Sequence, residues 1–258
     1  MGNNLNKEIL IGMSCAECSN AAGLLFDFSF AFQPIVDIHK QCVWSYEALV
    51  RGINGESAYS VLDRVDDNNR YRFDQACRVK IIQLATRLGM KERLNINFFP
   101  NAIYKPELCI RTTLAVAKET GFPIENIVFE ITEGEKIRDE KHLMNIIETY
   151  KHLGFSIAID DFGAGYAGLN LLATYQPDSI KLDIVLIKDI HKHVPRQAIV
   201  RAILSVCNEL NITLVAEGVE TKEEYQFLKG IGIRYFQGYY FARPAFEALE
   251  IPEAALYL

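Results

Sequence analysis

From residue 28 onward the chain alternates between two periodicities of apolar residues. Short segments rich in β-branched and aromatic residues are followed by stretches in which apolar residues recur every three or four positions. The strand candidates are FSFAFQPIV (28–36), CVWSYEALV (42–50), RLNINFF (93–99), NIVFEIT (126–132), FSIAIDD (155–161), SIKLDIV (179–185), TLVAEGV (213–219) and RYFQGYYF (234–241). Such alternation predicts an α/β protein in which amphipathic helices cover a parallel sheet.

The helical stretches carry the apolar spacing of helices that lie against a sheet. Two examples are the set Leu143, Ile146, Ile147, Tyr150 and Leu153, and the set Ile199, Ile203, Val206 and Leu210. Three glycines, at positions 154, 230 and 232, fall where such helices should end. Eight strands with intervening helices in about 230 residues match the size of a (β/α)8 TIM-like barrel, and a doubly wound open sheet is the alternative.

The strand and helix rhythm continues from residue 28 to residue 245 without a linker, a repeat or a low-complexity tract. Residues 1–27 lie outside it. The sequence therefore predicts one domain, 28–258, preceded by a short N-terminal extension, 1–27. The extension carries Cys15 and Cys18, whose spacing would suit half a zinc site or a redox pair, but a single Cys-x-x-Cys without a second pair favours two small residues without chemistry.

Polar residues interrupt the apolar strands near their carboxyl ends. They are Gln33, Glu47, Asn97, Glu130, Asp160, Asp161, Lys181, Glu217 and Gln237. In a barrel all eight strand ends point to one mouth, so these side chains would converge, whereas an open sheet would spread them along an edge. One such residue is usually a hydrogen-bonded strand end, but several massed carboxylates are costly without a cation. The set favours a barrel with a metal site at its mouth.

Six of these residues offer oxygen ligands, and the set contains no histidine or cysteine. The six are Glu47, Asn97, Glu130, Asp160, Asp161 and Glu217. Oxygen ligands select Mg²⁺ or Mn²⁺ over Zn²⁺, and five carboxylates suffice for two ions with Asp160 or Asp161 bridging. Two close ions are an established arrangement for in-line phosphodiester cleavage. Lys181, the one cation of the set, either neutralises the acids or takes part in the chemistry.

Composition excludes several classes of partner. The net charge is −6, with no basic stripe, which argues against a nucleic-acid polymer. No apolar run approaches the roughly twenty residues of a membrane span. The six cysteines are scattered and no secretory signal precedes them, so reduced thiols and a bacterial cytoplasm are expected.

Eight short blocks resemble, in their order along the chain, those of the EAL family of cyclic di-GMP phosphodiesterases. The blocks are QPIVD (33–37), YEALVRG (46–52), NIN (95–97), FEITE (129–133), DDFGAGY (160–166), IKLD (180–183), AEGVET (216–221) and FQGYYFARP (236–244). The resemblance covers residues 28–245. It implies an EAL-type barrel that hydrolyses cyclic di-GMP to linear 5′-pGpG with Mg²⁺ or Mn²⁺ in bacterial second-messenger signalling.

The resemblance also implies a role for each matching residue. One metal ion would be bound by Glu47, Asn97, Glu130 and Asp160, and a second by Asp160, Asp161 and Glu217. The catalytic residues would be Glu47, Lys181 and Glu217, with Lys181 holding or activating the attacking water beside Glu217. Substrate contacts would come from Gln33, Leu49, Arg51 and Gln237. Glu133 would brace the loop that contains Gly163 and Gly165, and Glu220 would support the site from behind.

The loop after Asp161 departs from the family pattern, because Ala164 and Ala167-Gly168 replace hydroxyl-bearing residues. This change leaves open how the loop tunes activity. A homodimer is expected by resemblance, and Ca²⁺ is expected to inhibit because it is larger than Mg²⁺. The alternative is an inactive EAL domain that binds cyclic di-GMP or a protein partner as a receptor, but retention of every metal acid favours the enzyme. A barrel acting on another metal-bound phosphodiester also stays open.

Overall fold

The computed structural model of the chain describes residues 24–132, 140–165 and 172–252. Within these ranges eight strands close into a barrel, since each pairs with the next and the last pairs back to the first. They are β1 (Ser29–Asp37), β2 (Cys42–Arg51), β3 (Arg93–Asn97), β4 (Ile127–Thr132), β5 (Ser156–Phe162), β6 (Ser179–Leu182), β7 (Thr213–Ala216) and β8 (Tyr235–Phe236). The predicted single barrel domain is confirmed, and the open-sheet alternative is wrong.

The first strand runs against the others. β1 is antiparallel to β2 and to β8, and the short strand β9 (Ala245–Phe246) also pairs antiparallel with it. The expectation that all eight carboxyl ends point to one mouth is therefore wrong for β1. The reason is the length of the connection, because only residues 38–41 join β1 to β2, and a parallel crossover needs a dozen residues or more. Asp37 tightens this turn by accepting the backbone N–H groups of His39 at 3.0 Å and Lys40 at 3.1 Å.

Helices surround the barrel on its outer side. Within the described residues they are α1 (Ala58–Leu62), α2 (Arg70–Arg87), α3 (Pro106–Cys109), α4 (Arg111–Thr120), α5 (Glu140–His152), α6 (Ile184–Ile187), α7 (Val194–Leu210) and α8 (Lys222–Gly230). Short 3₁₀ segments occur at Pro100–Ala102, Ile124–Asn126 and Ile190–Lys192. None of the helices in these ranges is long and apolar enough to cross a membrane.

One of the two predicted helix faces is correct and the other is rotated. On α5 the residues Leu143, Ile146, Ile147 and Tyr150 are buried as expected, whereas Leu153, just beyond the helix, is 37% exposed. On α7 the buried residues are Val200, Ile203 and Cys207, while Ile199 and Leu210 are exposed. The predicted apolar face of α7 therefore shares only Ile203 with the set of residues that is buried. Apolar residues stand on both sides of this helix, and Cys207, which packs as a small hydrophobic residue, marks the buried side.

Two apolar clusters join the helices to the barrel. The first includes Phe30, Phe73 and Ile146, and it connects the early strands with α2, α4 and α5. The second includes Val200 and Leu228, and it connects the later strands with α7 and α8. The predicted division at residues 27 and 28 stays a prediction, and Cys15 and Cys18 lie outside the described residues.

Candidate metal centre

Two groups of carboxylates meet at the mouth of the barrel. Glu47, Glu130 and Asp160 form one group, and Asp160, Asp161 and Glu217 form the other. In each group one oxygen per residue lies within 4.8 Å of the oxygens of the other two. Asp160 belongs to both groups, so the five acids form one continuous cluster. The structure thus brings together all five carboxylates that the sequence singled out.

The register of the strands brings site residues of neighbouring strands to the same or next inward-facing position. Glu47 on β2 lies opposite Asn95 on β3, and Asn97 lies opposite Glu130 on β4. Side chains two residues apart on a strand share a face, so Asn95 and Asn97 both belong to the inner face. The antiparallel β1 still contributes to the site, because its mid-strand residue Gln33 is the partner of Glu47.

The adjacent aspartates depart from strand geometry. Consecutive residues of a regular strand point to opposite faces, yet Asp160 and Asp161 share one site. The pairing of β5 with β6 is irregular between Ile159 and Phe162, and Asp161 has a left-handed backbone with φ 53°. A bulge of this kind re-aims a side chain, and aspartate is among the residues that tolerate the left-handed region best. The strained position coincides with the place where two neighbouring carboxylates face one cluster.

Lys181 lies inside the acid cluster with its side chain almost fully buried. Its Nζ is 2.8 Å from Glu47 Oε2 and 2.9 Å from Asp160 Oδ1. The same atom is 3.1 Å from Glu217 Oε2 and 3.5 Å from Glu130 Oε1. Burial alone would lower the pKa of Lys181, but the four surrounding carboxylates raise it well above its usual value. The lysine is therefore charged at neutral pH.

One ammonium group does not balance five acids. Burial, followed by the neighbouring carboxylates, raises the pKa values of Glu130 and Glu217 well above their usual range, although Lys181 partly opposes the shift. Burial and the negative charges of Asp160 and Asp183 raise the pKa of Asp161 to about 6. These shifts mean that the ionised cluster is short of positive charge.

The residues present fit a hard divalent cation. Glu130 is fully buried, and its Oε2 atom has no hydrogen-bond partner within residues 24–132, 140–165 and 172–252. An unpaired buried carboxylate oxygen is costly unless a cation binds it. The cluster consists of oxygen ligands, which suit Mg²⁺ and Mn²⁺. Two overlapping triplets of carboxylates that share Asp160 offer enough ligands for two such ions.

Side-chain amides hold the carboxylates in place. Asn97 Nδ2 donates to Glu47 Oε1 at 2.9 Å, and Gln237 Nε2 donates to Glu47 Oε2 at 2.7 Å. Gln237 Nε2 also lies 3.3 Å from Gln33 Oε1, while Gln33 Nε2 donates to the carbonyl of Ala242 at 3.1 Å. A fourth amide, Asn95, donates to Glu130, and the sequence reasoning missed it. Its position two residues before Asn97 was the available signal, because that spacing places it on the same inner face.

The EAL domain family model matches residues 22–244 of the chain. The chain belongs to the EAL domain family. A c-di-GMP-bound standalone EAL protein from Vibrio cholerae O395 is 54% identical, with a TM-score of 0.88, and the match covers 92% of this chain and 100% of that protein. The manganese/cy-diGMP complex of Klebsiella pneumoniae BlrP1 at pH 9.0 is 38% identical, with a TM-score of 0.83, over 87% of this chain and 58% of BlrP1.

Two curated relatives are longer than this EAL chain. The blue light- and temperature-regulated antirepressor BluF of Escherichia coli K12 is 35% identical over 215 residues, which are 83% of this chain and 53% of BluF. The cyclic di-GMP phosphodiesterase PdeR of the same organism is 41% identical over 129 residues, which are 50% of this chain and 20% of PdeR. The EAL chain thus spans about half of BluF and about a fifth of PdeR.

A cleft opens beside the acid cluster of the EAL barrel. It has a volume of about 980 Å³ and is lined by Leu49, Arg51 and Asn97 near the cluster. Its further walls are mainly apolar and come from β1, α1, α2 and the segment after β3. Arg51 donates through Nη1 to the carbonyl of Val50 at 2.8 Å. The structure therefore places two of the predicted substrate residues, Leu49 and Arg51, in one cavity that reaches the metal ligand candidate Asn97.

The glycine loop after β5 leaves little room for side chains. Gly163 has φ +100°, and a Cβ atom at this position would lie 2.5 Å from Leu186 Cδ1. Gly165 follows in the same loop, and Glu133, its expected brace, lies outside the described residues. Leu186 is on α6, so the loop packs directly against that helix. Glycine is favoured at position 163 because of its positive φ, and any larger residue would also force the side chain of Leu186 to move.

The loop after β7 is held by a residue that the sequence reasoning did not select. Glu220 is exposed, and the side chain of Glu224 instead accepts the backbone N–H groups of Glu220 and Thr221, each at 3.0 Å. Thr221 in turn caps α8 by accepting from the backbone of Glu224. This reciprocal capping box fixes the segment that follows Glu217. A Thr-x-x-Glu spacing at the start of a helix was the signal for it.

Proposed function

We propose that this EAL domain hydrolyses one phosphodiester bond of cyclic di-GMP to give linear 5′-pGpG, with two divalent ions as its cofactor. The observation that carries the proposal is the pair of carboxylate groups that share Asp160 at the barrel mouth. Relatives with bound cyclic di-GMP, including a manganese complex, support the choice of substrate and metal. An anionic dinucleotide can approach this acidic cluster only when cations lie between them.

Mg²⁺ or Mn²⁺ fits the oxygen ligands of the site better than Zn²⁺. The first ion would be held by Glu47, Asn97, Glu130 and Asp160, and the second by Asp160, Asp161 and Glu217. When bound, the ions polarise the phosphate and lower the pKa of a water molecule. Ca²⁺ is expected to inhibit, because it takes more ligands at longer distances and would disturb in-line geometry.

Lys181 would orient the attacking water. Its Nζ lies close to both carboxylate groups, 2.9 Å from Asp160 and 3.1 Å from Glu217. An ammonium group can only donate hydrogen bonds, so it fixes the water oxygen while leaving a lone pair free to attack phosphorus. Glu217, whose pKa burial raises, is the adjacent carboxylate that can accept the released proton.

The cleft supplies the groups that bind the dinucleotide. The guanidinium of Arg51 has a planar fork of donors that matches a phosphate oxygen pair. Leu49 and the apolar walls of the cleft offer a surface for the flat face of a base. Gln33 and Gln237 lie on the other side of Glu47 and provide amide groups for the second half of the substrate.

The proposal includes a homodimer and a location in the cytoplasm. α6 offers a surface for a second copy, since Ile184 is 40% exposed and Val185 is 55% exposed. This helix packs against Gly163 of the loop after β5, so a contact on α6 would also reach the aspartate pair. Measurement of the molar mass in solution, for wild type and for Val185→Asp, tests the dimer. An unchanged mass in the variant would place the contact elsewhere.

A receptor without hydrolytic activity is the second candidate. The similarity to BluF favours it, because the curated name of BluF is that of an antirepressor and the match extends over 83% of this chain. A receptor would bind cyclic di-GMP or a protein partner through the same mouth without cleaving the bond. Binding and turnover therefore have to be measured separately.

Chromatography of cyclic di-GMP incubated with the protein and Mg²⁺ distinguishes the two candidates. We expect conversion to 5′-pGpG by the wild type and none by Asp160→Asn, which keeps the size of the side chain but removes the shared negative charge. Intact cyclic di-GMP in the presence of wild-type protein that binds it would support the receptor instead. Addition of Ca²⁺ to the Mg²⁺ reaction should slow it.

A further inference from the structure

A chain of three polar side chains runs beneath the acid cluster. Ser45 on β2, Asn95 on β3 and Glu130 on β4 are all almost completely buried. Ser45 Oγ donates to Asn95 Oδ1, and Asn95 Nδ2 donates to Glu130 Oε1 at 2.7 Å. The proposed function assigns a role to Glu130 alone. Ser45 and Asn95 are buried polar residues whose purpose it leaves unexplained.

The hydroxyl group fixes the orientation of the amide. A carboxylate accepts hydrogen bonds and cannot face an amide oxygen without repulsion, so Asn95 must turn Nδ2 toward Glu130. Its Oδ1 then faces Ser45, whose hydroxyl supplies the donor that this oxygen needs. Among the described residues, the one other acceptor within reach of this hydroxyl is the carbonyl oxygen of Arg93, 3.2 Å from Ser45 Oγ. The direction of the chain is thus set from Ser45 through Asn95 to Glu130.

The amide determines which carboxylate oxygen stays available. Glu130 Oε1 accepts from Asn95 at 2.7 Å and also lies 3.5 Å from Lys181 Nζ. Glu130 Oε2 is buried and has no hydrogen-bond partner in the described part of the chain. The two oxygens of the carboxylate therefore differ, with one saturated by protein donors and the other left for a cation.

We propose that Asn95, oriented by Ser45, is a positioning residue that holds Glu130 with Oε2 presented to the divalent ion. This inference rests on the proposed metal site, and it adds two residues behind the ligand. Without the amide the carboxylate could rotate, and its preferred partner would become Lys181. Groups behind a metal ligand commonly change metal affinity by about 10–100-fold when they are removed.

The test measures Mn²⁺ affinity by titration calorimetry, without substrate, for three variants. Asn95→Leu removes the donor at similar size, Ser45→Ala removes the hydroxyl that orients the amide, and Thr113→Val is the control. Thr113 is buried on α4 and its hydroxyl has no hydrogen-bond partner among the residues that the structure describes, so this variant deletes a buried hydroxyl away from the barrel interior. Thermal unfolding of the metal-free proteins reports whether each variant folds.

We expect Asn95→Leu to weaken Mn²⁺ binding about tenfold or more and Ser45→Ala by about threefold, with Thr113→Val at wild-type affinity. Phosphodiesterase activity of Asn95→Leu should recover largely at saturating Mn²⁺, because no group that touches substrate is lost. Unchanged Mn²⁺ affinity in both Asn95→Leu and Ser45→Ala would overturn the proposal, even if their metal-free stability fell. If Asn95→Leu does not fold, Ser45→Ala decides alone.

The same titration separates this inference from the proposed function. Wild-type protein that binds Mn²⁺ but leaves cyclic di-GMP intact would remove the enzyme proposal and leave the positioning role testable. Wild-type protein that does not bind Mn²⁺ would overturn both. Wild-type protein that binds and cleaves, together with variants that bind equally well, would overturn only the role of Asn95.

Discussion

The EAL barrel contains two buried ion-pair clusters of opposite character. At the mouth, one lysine, Lys181, lies among five carboxylates. Behind the barrel wall, Arg78 on α2 forms a single pair with Asp74, with Nη2 and Oδ2 2.8 Å apart and both side chains 1% exposed. The second cluster is balanced in charge, whereas the first has an excess of acid. Equal numbers of positive and negative charges are typical of an ion pair with a structural role. An excess of carboxylates is typical of a site that binds a cation.

The balanced cluster is held by contacts with protein atoms, although Arg78 Nε has no hydrogen-bond partner among the described residues. Asp74 accepts the backbone N–H of Phe99 at 3.1 Å, and Arg78 Nη1 donates to the hydroxyl of Tyr150 at 3.0 Å. The guanidinium also packs over the ring of Phe129, 4.9 Å from its centroid. Burial alone would lower the pKa of Arg78, but Asp74 raises it above its usual value. The pair links α2 and α5 to the segment after β3 without needing any ligand.

The largest effect is expected from Glu47→Ala. The change removes a metal ligand and the partner of Lys181, so turnover should fall by roughly a thousandfold or more, the loss expected for several kcal/mol of transition-state stabilisation. Stability without metal should stay the same or rise, because one of five mutually repelling acids is gone. A cyclic di-GMP assay and thermal unfolding measure the two quantities. Most of the activity surviving at saturating Mg²⁺ would contradict the metal assignment.

Arg78→Met should lower the stability of the protein and leave its turnover nearly unchanged, which is the reverse of the effect expected for Glu47→Ala. Methionine keeps the unbranched stem but leaves Asp74 buried without its partner, which costs about 3–5 kcal/mol of unfolding free energy. Turnover per folded molecule should change little, since Arg78 touches no part of the acid cluster. Urea unfolding gives the free energy, and the double variant Asp74→Leu/Arg78→Met should lose less than the single one. Equal losses in the single and double variants would show that the pair is not what holds α2 in place.

The contrast between the clusters also explains what the sequence could predict. The eight strands, and the acids at their ends, were predictable because a charged residue that closes an apolar run stands out against its surroundings. The burial of Arg78 was not predictable, because a charged residue in an amphipathic helix is normally assigned to the solvent side. Its burial depends on Asp74 one turn earlier and on Tyr150 far along the chain. Contacts between side chains that are far apart in the sequence leave no periodic pattern of apolar and polar residues.

Two details of the site were equally inaccessible to periodicity. The left-handed backbone of Asp161 is needed to turn two adjacent aspartates into one site, but a sequence pattern gives no backbone angle. The two-residue spacing puts Asn95 on the inner face with Asn97, but its bond to Glu130, and the part that Ser45 plays in it, became visible only once β2, β3 and β4 were in register. The direction of β1 was predictable, because four residues cannot form a parallel crossover.

Lys181→Met is expected to act on both the chemistry and the balance of charge. The rate constant kcat should fall by about a hundredfold, in the range of a lost proton-handling group, while substrate affinity changes little. The metal-free protein should also be less stable, since the acids lose their one ammonium group. Single-turnover kinetics and substrate binding at saturating Mg²⁺ separate kcat from affinity. An unchanged kcat with lowered stability would leave Lys181 with the neutralising role alone.

The smallest effect concerns the pH dependence of stability. Burial and Asp160 raise the pKa of Asp161 to about 6, whereas in the unfolded chain it is near its ordinary value of 3.8. Between these two values the folded protein holds the proton more tightly than the unfolded one, so the metal-free protein should lose stability as pH rises from about 4 to 6.

Mn²⁺ competes with that proton, and the stabilisation it gives should therefore grow over the same range. Thermal unfolding with and without Mn²⁺, at pH 4.5 to 7, measures both slopes. Asp161→Asn is the control, since it cannot titrate and should make the metal-free slope smaller, while Glu130 and Glu217, whose pKa values are also raised, keep their share of it. If wild type and Asp161→Asn gave parallel curves, the proton on Asp161 would not be the one that the cation displaces.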